Sequence, residues 1–432
     1  MFLILTVLVL AFVFFRGLGG ESSKTELQIL SEFVNENYFK EKEVKYTQVT
    51  EYYIYGTHLN LKGNLKNEDR KTVENLDFFF ADKDGNEIEY VLSFEQDDDT
   101  ISYYLSEEIN DGINLEELAL GNYIPVMEIT YSDYITENFL LENTTEYDSL
   151  EYYTITKNNS NTRIFIDGTG NNFVIQANES SLPEEVYDIV IDPGHGGKDG
   201  GAVSGNYTES ELVIDYSLEL KAQLESLGLK VKLTRDGSES STKDTVYNSY
   251  DEDGRVDITC SSQAKYCLSL HLNSNSSDLN GGGVEIYAPG NADLSFASKI
   301  AESIVENGET EYSMMNTYKV KSGVYVRNFT QRDLEAMMSA ASENGYDPYE
   351  IGEYTPYLFM IRETGGIITG AFADGRNTAY GTNKYMNSNR GVETYILELG
   401  YISETSDLEN IIENRNGYLE GIVQAVKNQF EL

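Results

Sequence analysis

The hydrophobic period of this chain changes once, near residue 180, and that change constrains the fold more than any other feature. From about 46 to 178, apolar and aromatic residues alternate with polar ones, in runs such as "VTEYYIYG", "LDFFFAD", "ISYYLS" and "TRIFIDG". Turn-forming clusters, "DKDGN" and "DGTGNN", separate the runs. Period two puts successive side chains on opposite faces of a strand, so the stretch predicts about seven or eight short strands. The expectation is an all-β, sandwich-like accessory unit over 46–180. After the connector "SSLPEEVYD", strands and helices alternate. "DIVID" (188–192), "LKVKLT" (229–234), "YCLSLH" (266–271), "GVEIYA" (283–288) and "TYILELG" (394–400) read as strands. The segment 209–228 reads as a helix, with Leu212, Val213, Tyr216, Leu220, Leu224 and Leu227 on one stripe. Alternation of this kind predicts an α/β domain over 185–432, with a mostly parallel sheet flanked by helices. Sites in such sheets lie beyond the carboxyl ends of the strands.

Two units also suit 432 residues, which exceed one ordinary core. Ahead of them stands "MFLILTVLVLAFVFFRGLGG", apolar without a break over residues 2–15. That run suits the core of an export signal and falls short of the roughly 20 residues that span a bilayer. Residues 1–20 are therefore read as a signal peptide or membrane anchor, with both forms open, and 21–45 as a linker holding a short helix. The chain has 73 acidic and 31 basic residues, a net charge of −42. Phosphate binding needs clustered Lys and Arg, so nucleic acid is excluded as a partner. Cys260 and Cys267 either pair in an oxidising compartment or stay as two buried thiols.

Of three histidines, two end predicted strands. His195 sits in "IDPGHGG" just past 188–192, and His271 closes "YCLSLH". Glu209 opens the helix that follows the His195 loop. Singly, each has an ordinary reading: surface imidazoles, and an acidic residue favouring a helix dipole. Together they put two imidazoles and a carboxylate on one sheet edge, the ligand set of a catalytic zinc with an open fourth position. The glycines around His195 leave room for a metal and a substrate. Asp192 and Asn273 are expected to orient the ligands. Glu398 interrupts the apolar run "TYILELG"; carboxylates are rarely buried without a partner, and a nearby metal supplies one. Facing the metal, it can move a proton from water to a leaving nitrogen. His58, alone among the β runs, reads as a packed or surface imidazole.

In chain order, "IDPGHGGKDGGA", "ESELV", "LTR", "SLHLNS", "GVEIY" and "ILELGYIS" resemble the zinc-dependent N-acetylmuramoyl-L-alanine amidases of bacterial cell walls, the amidase-3 type, over roughly residues 187–432. The resemblance implies Zn2+ as cofactor, with His195, Glu209 and His271 as its ligands and Glu398 as the catalytic carboxylate. It implies peptidoglycan as substrate and hydrolysis of the amide joining N-acetylmuramic acid to L-alanine. Export to the cell wall fits that substrate. The alternatives are a zinc peptidase acting within the stem peptide and a non-catalytic wall-binding or scaffold protein. The presence of all four residues argues against the last.

The sequence departs from a compact family domain between "GVEIYAPG" and "TYILELG", where an insert of about 290–390 intervenes. Two readings compete. The insert adds wall to the substrate groove, with Asn273 and Arg362 binding substrate and Arg362 available for a stem-peptide carboxylate; or it forms a lid over the metal. The groove is favoured. The β unit has no tryptophan to build a sugar platform and reads as a spacer or a surface for a protein partner.

Overall fold

The computed structural model describes residues 25–40, 43–155, 161–169, 173–246, 248–275, 282–345, 351–370 and 381–432. The expected signal or anchor segment, 1–20, lies outside them. Among the described residues no helix is long and apolar enough to cross a membrane.

The N-terminal region is rich in strands. Labelled here are β1 (Tyr46–Tyr55), β2 (Val73–Ala81), β3 (Gly121–Tyr131) and β4 (Thr136–Asn143). Strand β2 shows how period two is used: Phe78 and Phe80 enter the main core with Tyr52, Ile101 and Met127, while Phe79 and Ala81 face the other way. That second face is covered by helix α1 (Glu26–Val34), whose first turn is closed by a capping box between Thr25 and Gln28. Leu30, Val34 and Phe39 are buried there against Phe79, Ile124, Val126 and Leu140. Residues 26–39 hold the short helix expected within 21–45 and pack it on the sheet. The apolar positions of "ELQILSEFV" are the cause, because they recur at helical spacing and meet an apolar sheet face.

The C-terminal region is α/β with a mixed sheet. Its strands are β5 (Ile189–Pro193), β6 (Val231–Leu233), β7 (Tyr266–Asn273), β8 (Glu285–Ala288), β9 (Lys319–Lys321), β10 (Val324–Val326) and β12 (Glu393–Tyr401), with β11 (Arg390–Gly391) standing apart. The order across the sheet is β6-β5-β7-β12-β8-β10-β9. Pairing is parallel from β6 through β12, antiparallel between β12 and β8, parallel again to β10 and antiparallel to β9. Four of these six pairings are parallel and two antiparallel, so the sheet is mixed.

Helix α2 (Glu209–Ser226) buries Val213, Tyr216, Leu220 and Leu224 on one stripe, against Ile189, Ile191, Leu268 and Leu270. Helix α3 (Arg255–Ser261) follows β6 in the chain. Helix α4 (Ser295–Asn307) puts Phe296, Ala297, Ile300 and Ile304 into the same core, as does Val324 of β10. Part of the expected insert, 290–390, therefore belongs to the central fold. The surplus lies beyond β10 and holds α5 (Gln331–Asn344) and α6 (Phe359–Thr364). Helices α7 (Thr405–Glu413) and α8 (Arg415–Gln429) close the chain. Cys260 and Cys267 are free thiols, and burial pushes both well above the usual thiol range.

Candidate metal centre

Three connections bring the candidate ligands together. β5 ends at Pro193, and the chain turns at His195, which adopts a left-handed φ of 61°, followed by Gly196 and Gly197 at 108° and 61°. The turn returns the backbone toward α2, whose first residue is Glu209. The neighbouring strand β7 presents His271 beside Pro193, since Leu270 is the register partner of Pro193. Two glycines make the approach sterically feasible. A Cβ on Gly194 would stand 2.4 Å from His271 Cε1. One on Gly201, already at a φ of +67°, would stand 2.6 Å from Glu209 Oε2 and 2.7 Å from His195 Cδ2.

His195 Nε2 lies 3.0 Å from Glu209 Oε1, and His271 Nδ1 lies 3.0 Å from the same oxygen. The rings meet edge to face, 4.9 Å between centroids. One ligand atom from each residue falls within 4.8 Å of the others, so the three can hold a metal ion. Glu209 is only 3% exposed. The backbone N–H groups of Leu272 and Ala202 donate to its two oxygens. Burial raises its carboxyl, but hydrogen bonds from His195 and His271 outweigh burial and hold it well below the usual carboxylate range. Burial lowers His271 despite Glu209; for His195, burial also lowers, but Glu209 and Asp199 together leave it raised.

Glu398 sits beside this group. It is the register partner of His271 on one side and of Glu285 on the other. Among the described residues, its buried Oε2 has no hydrogen-bond partner. Burial first, then the charges of Glu209 and Glu285, push its carboxyl well above the ordinary range. An orphaned carboxylate oxygen and a concentration of buried negative charge next to two imidazoles are what a bound cation relieves, so the residues fit a metal.

Not every expected residue lands here. Asp192 is fully buried, but it accepts from Arg255 at 2.6 and 2.8 Å, from Thr234 at 2.6 Å and from Ser269 at 2.7 Å. It therefore ties α3 to the sheet, and among the described residues these hydrogen bonds reach no candidate ligand. Asp199 takes the orienting position, with Oδ2 2.9 Å from His195 Nδ1. The i,i+4 spacing of His195 and Asp199 in one glycine-rich loop was the available signal. Asn273 is beside the site: its Nδ2 donates to Glu285 Oε2 at 3.0 Å and its Oδ1 accepts from the N–H of Ser274. Arg362 is not available for a substrate carboxylate. It is 6% exposed, its Nε donates to Glu363 at 2.9 Å, and its Nη1 donates to the carbonyls of Pro356 and Tyr357. It stitches α6 to the loop before it.

Sequence reasoning also missed Glu285. This carboxylate is fully buried and accepts from Ser313, Tyr287, Tyr401 and Asn273. An acidic residue inside the apolar strand "GVEIYA" carries the same signal that singled out Glu398. His58 is half-buried, with Nδ1 3.1 Å from the Thr57 hydroxyl.

Residues 189–346 match the family model Amidase_3, described as N-acetylmuramoyl-L-alanine amidase. The N-acetylmuramoyl-L-alanine amidase LytC of Bacillus subtilis is 31% identical over 128 residues, 30% of this chain and 24% of that protein. The germination-specific N-acetylmuramoyl-L-alanine amidase of the same organism is 32% identical over 99 residues, 22% of this chain and 42% of that protein. The chain thus spans less than half the length of these relatives. The solved amidase AmiC2 of Nostoc punctiforme aligns over 58% of this chain and all of its own, with 19% identity and a TM-score of 0.35, too distant to carry an argument. A thymidylate kinase of Campylobacter hominis is 32% identical over 154 residues, 32% of this chain and 75% of that protein. The phosphate-binding pattern G-x-x-x-x-G-K-[ST] occurs nowhere in this sequence, so that likeness brings no kinase chemistry with it. The α/β region that holds His195, Glu209 and His271 belongs, over residues 189–346, to the Amidase_3 family of N-acetylmuramoyl-L-alanine amidases.

Proposed function

We propose that the chain hydrolyses the amide between N-acetylmuramic acid and the L-alanine of the stem peptide in peptidoglycan, with zinc held by His195, Glu209 and His271. The observation that carries this reading is the convergence of those three residues, all inside the stretch of Amidase_3 kinship over 189–346, with the orphaned carboxylate of Glu398, which lies beyond it in the chain. When bound, zinc supplies Lewis-acid polarisation of the amide carbonyl and a water of lowered pKa. The chain's own residues do the rest. Asp199 fixes the His195 ring. Glu285 fixes Asn273, which faces substrate at the rim of the site. Glu398 takes a proton from the attacking water at its free carboxylate oxygen and delivers it to the departing alanine nitrogen. Cleavage of a wall polymer places the protein outside the cytoplasm, which the apolar run of residues 2–15 supports. We read the strand-rich unit as a sandwich, because strand β2 is buried on both faces, and the surplus beyond β10 as groove wall.

The test is mass spectrometry of purified sacculi digested by the zinc-loaded protein, with Glu398→Gln alongside. Stem peptides with new L-alanine amino termini are expected from the wild type. Loss of a general acid–base removes about 10²–10⁴ in kcat, so the variant is expected to release almost none while still binding one metal. Shortened stems still joined to muramic acid would sink the amidase reading.

A further inference from the structure

The strand-rich unit meets the α/β region through backbone as well as side chains. Strand β1 pairs in parallel with β11, Ile54 against Arg390 and Tyr55 against Gly391. The N–H of Ile54 donates to Asn389 O at 2.9 Å, and that of Gly56 to Gly391 O at 3.2 Å. Two residues further the chain enters β12, the strand that carries Glu398. At the start of β12 stands Glu393, 2% exposed. Asn110 of the strand-rich unit donates to its Oε1 at 2.7 Å, and the Tyr395 hydroxyl donates to the same oxygen. Gly56 turns at a φ of +60°, where a Cβ would stand 2.5 Å from Glu393 Oε2. Asn110 is itself fixed, accepting from the N–H of Asp293 at 2.6 Å and donating to its carbonyl at 3.1 Å.

Further buried groups cross the same boundary. Lys265, 3% exposed, pairs with Glu116 of the strand-rich unit at 2.8 Å and with Asp188 at 3.3 Å. Arg390 donates to the carbonyls of Glu151 and Gln263 and lies over the Tyr152 ring. A module that swings freely on a tether has a small, wet, polar boundary. Here the boundary is a shared ladder sealed by buried partners.

We propose that the strand-rich unit is a fixed buttress of the catalytic strand, in which Asn110 and the Gly56 turn hold Glu393 as a positioning residue for Glu398. This rests on the amidase reading for its effect on turnover, though not for the buttress itself. Tyr55, Gly56 and Asn110 face Glu393 from the strand-rich unit, Asp293 from the loop before α4, Tyr266 from β7 and Tyr395 from its own strand. Burial, with the like charge of Asp293, pushes the Glu393 carboxyl up to about 7, against the hydrogen bonds of Tyr395 and Asn110. The folded chain therefore keeps a proton that the unfolded chain releases near 4.5. That contribution to stability is fully present below pH 4.5 and is lost as pH rises through about 7.

The experiment uses the full chain with Asn110→Ala, Glu393→Ala and Glu393→Gln. It measures kcat and KM for stem-peptide release, bound zinc, and denaturant unfolding at pH 5 and 7.5. Asn110→Ala and Glu393→Ala are expected to lower kcat tenfold or more, with KM and zinc content unchanged, and Glu393→Gln to recover most of kcat. Wild type is expected to unfold in one transition and to be less stable at pH 7.5 than at pH 5, with the difference reduced in Glu393→Gln. Unchanged kcat in both alanine variants, or separate unfolding of the two units in wild type, would overturn the proposal. Should wild type release no stem peptide, the amidase reading falls alone. Unfolding then decides the buttress: one transition whose pH dependence Glu393→Gln reduces upholds it, and two transitions overturn it.

Discussion

Asp199 decides which nitrogen of His195 is free. Its carboxylate sits 2.9 Å from Nδ1, so Nδ1 keeps its proton when a metal displaces the one that Nε2 donates to Glu209, and Nε2 is the nitrogen left to ligate. Such partners typically account for a ten- to hundredfold change in metal affinity. Asp199→Ala is therefore expected to weaken zinc binding by about that factor, read by competition with a chromogenic chelator, while the fold stays intact; unaltered affinity would count against the orienting role. The juxtaposition of His195, Glu209 and His271 was legible because residue type and strand-end position are local facts. Asp192 and Arg362 misled because their partners are remote or are backbone: Arg255 arrives from α3, and the carbonyls of Pro356 and Tyr357 leave no trace in composition. Glu285 carries the same local signal as Glu398, an acidic residue inside an apolar strand.

Element by element, periodicity predicted strands well where one face is buried and helices well where a stripe is. It said less about what covers what. Helix α1 has its apolar residues at helical spacing, yet only the structure shows that β2 and β3 offer them a second apolar face. Leu30 is fully buried there, and deleting most of such a side chain destabilises by about 2–5 kcal/mol. Leu30→Ala is expected to lower the denaturation midpoint accordingly at unchanged slope; no change would mean that the helix adds nothing to the stability of the sheet it covers. The direction of β8 was likewise hidden. An antiparallel partner for β12 and a parallel one require the same apolar residues, and only the connection decides between them. The same blindness made α4 and β10 look like insertion, because their apolar positions are separated in sequence from the strands they complete.

At the scale of the whole molecule, the excess of acid over base is the term with the longest reach. A net charge of −42 places like charges across the surface, and self-repulsion destabilises the compact state. Several ion pairs oppose it, such as Lys62 with Glu51 and Lys45 with Glu137, but these are exposed, and such pairs contribute about 0–1 kcal/mol each. With 73 acidic residues against 31 basic, most carboxylates have no cation to pair with, so repulsion outweighs pairing. Salt screens both, and the Debye length falls from about 30 Å at 0.01 M to about 8 Å at 0.15 M. The repulsion acts over longer distances than the contact pairs and is screened more completely. Raising sodium chloride over that range is therefore expected to stabilise the protein, by about 1 °C in melting temperature for each gain of about 1 kcal/mol, because a chain this long unfolds with a large entropy. Potassium chloride should act equally, since the effect is one of ionic strength. A melting temperature that falls with salt would mean that the local pairs, and not the net charge, govern the stability of this surface.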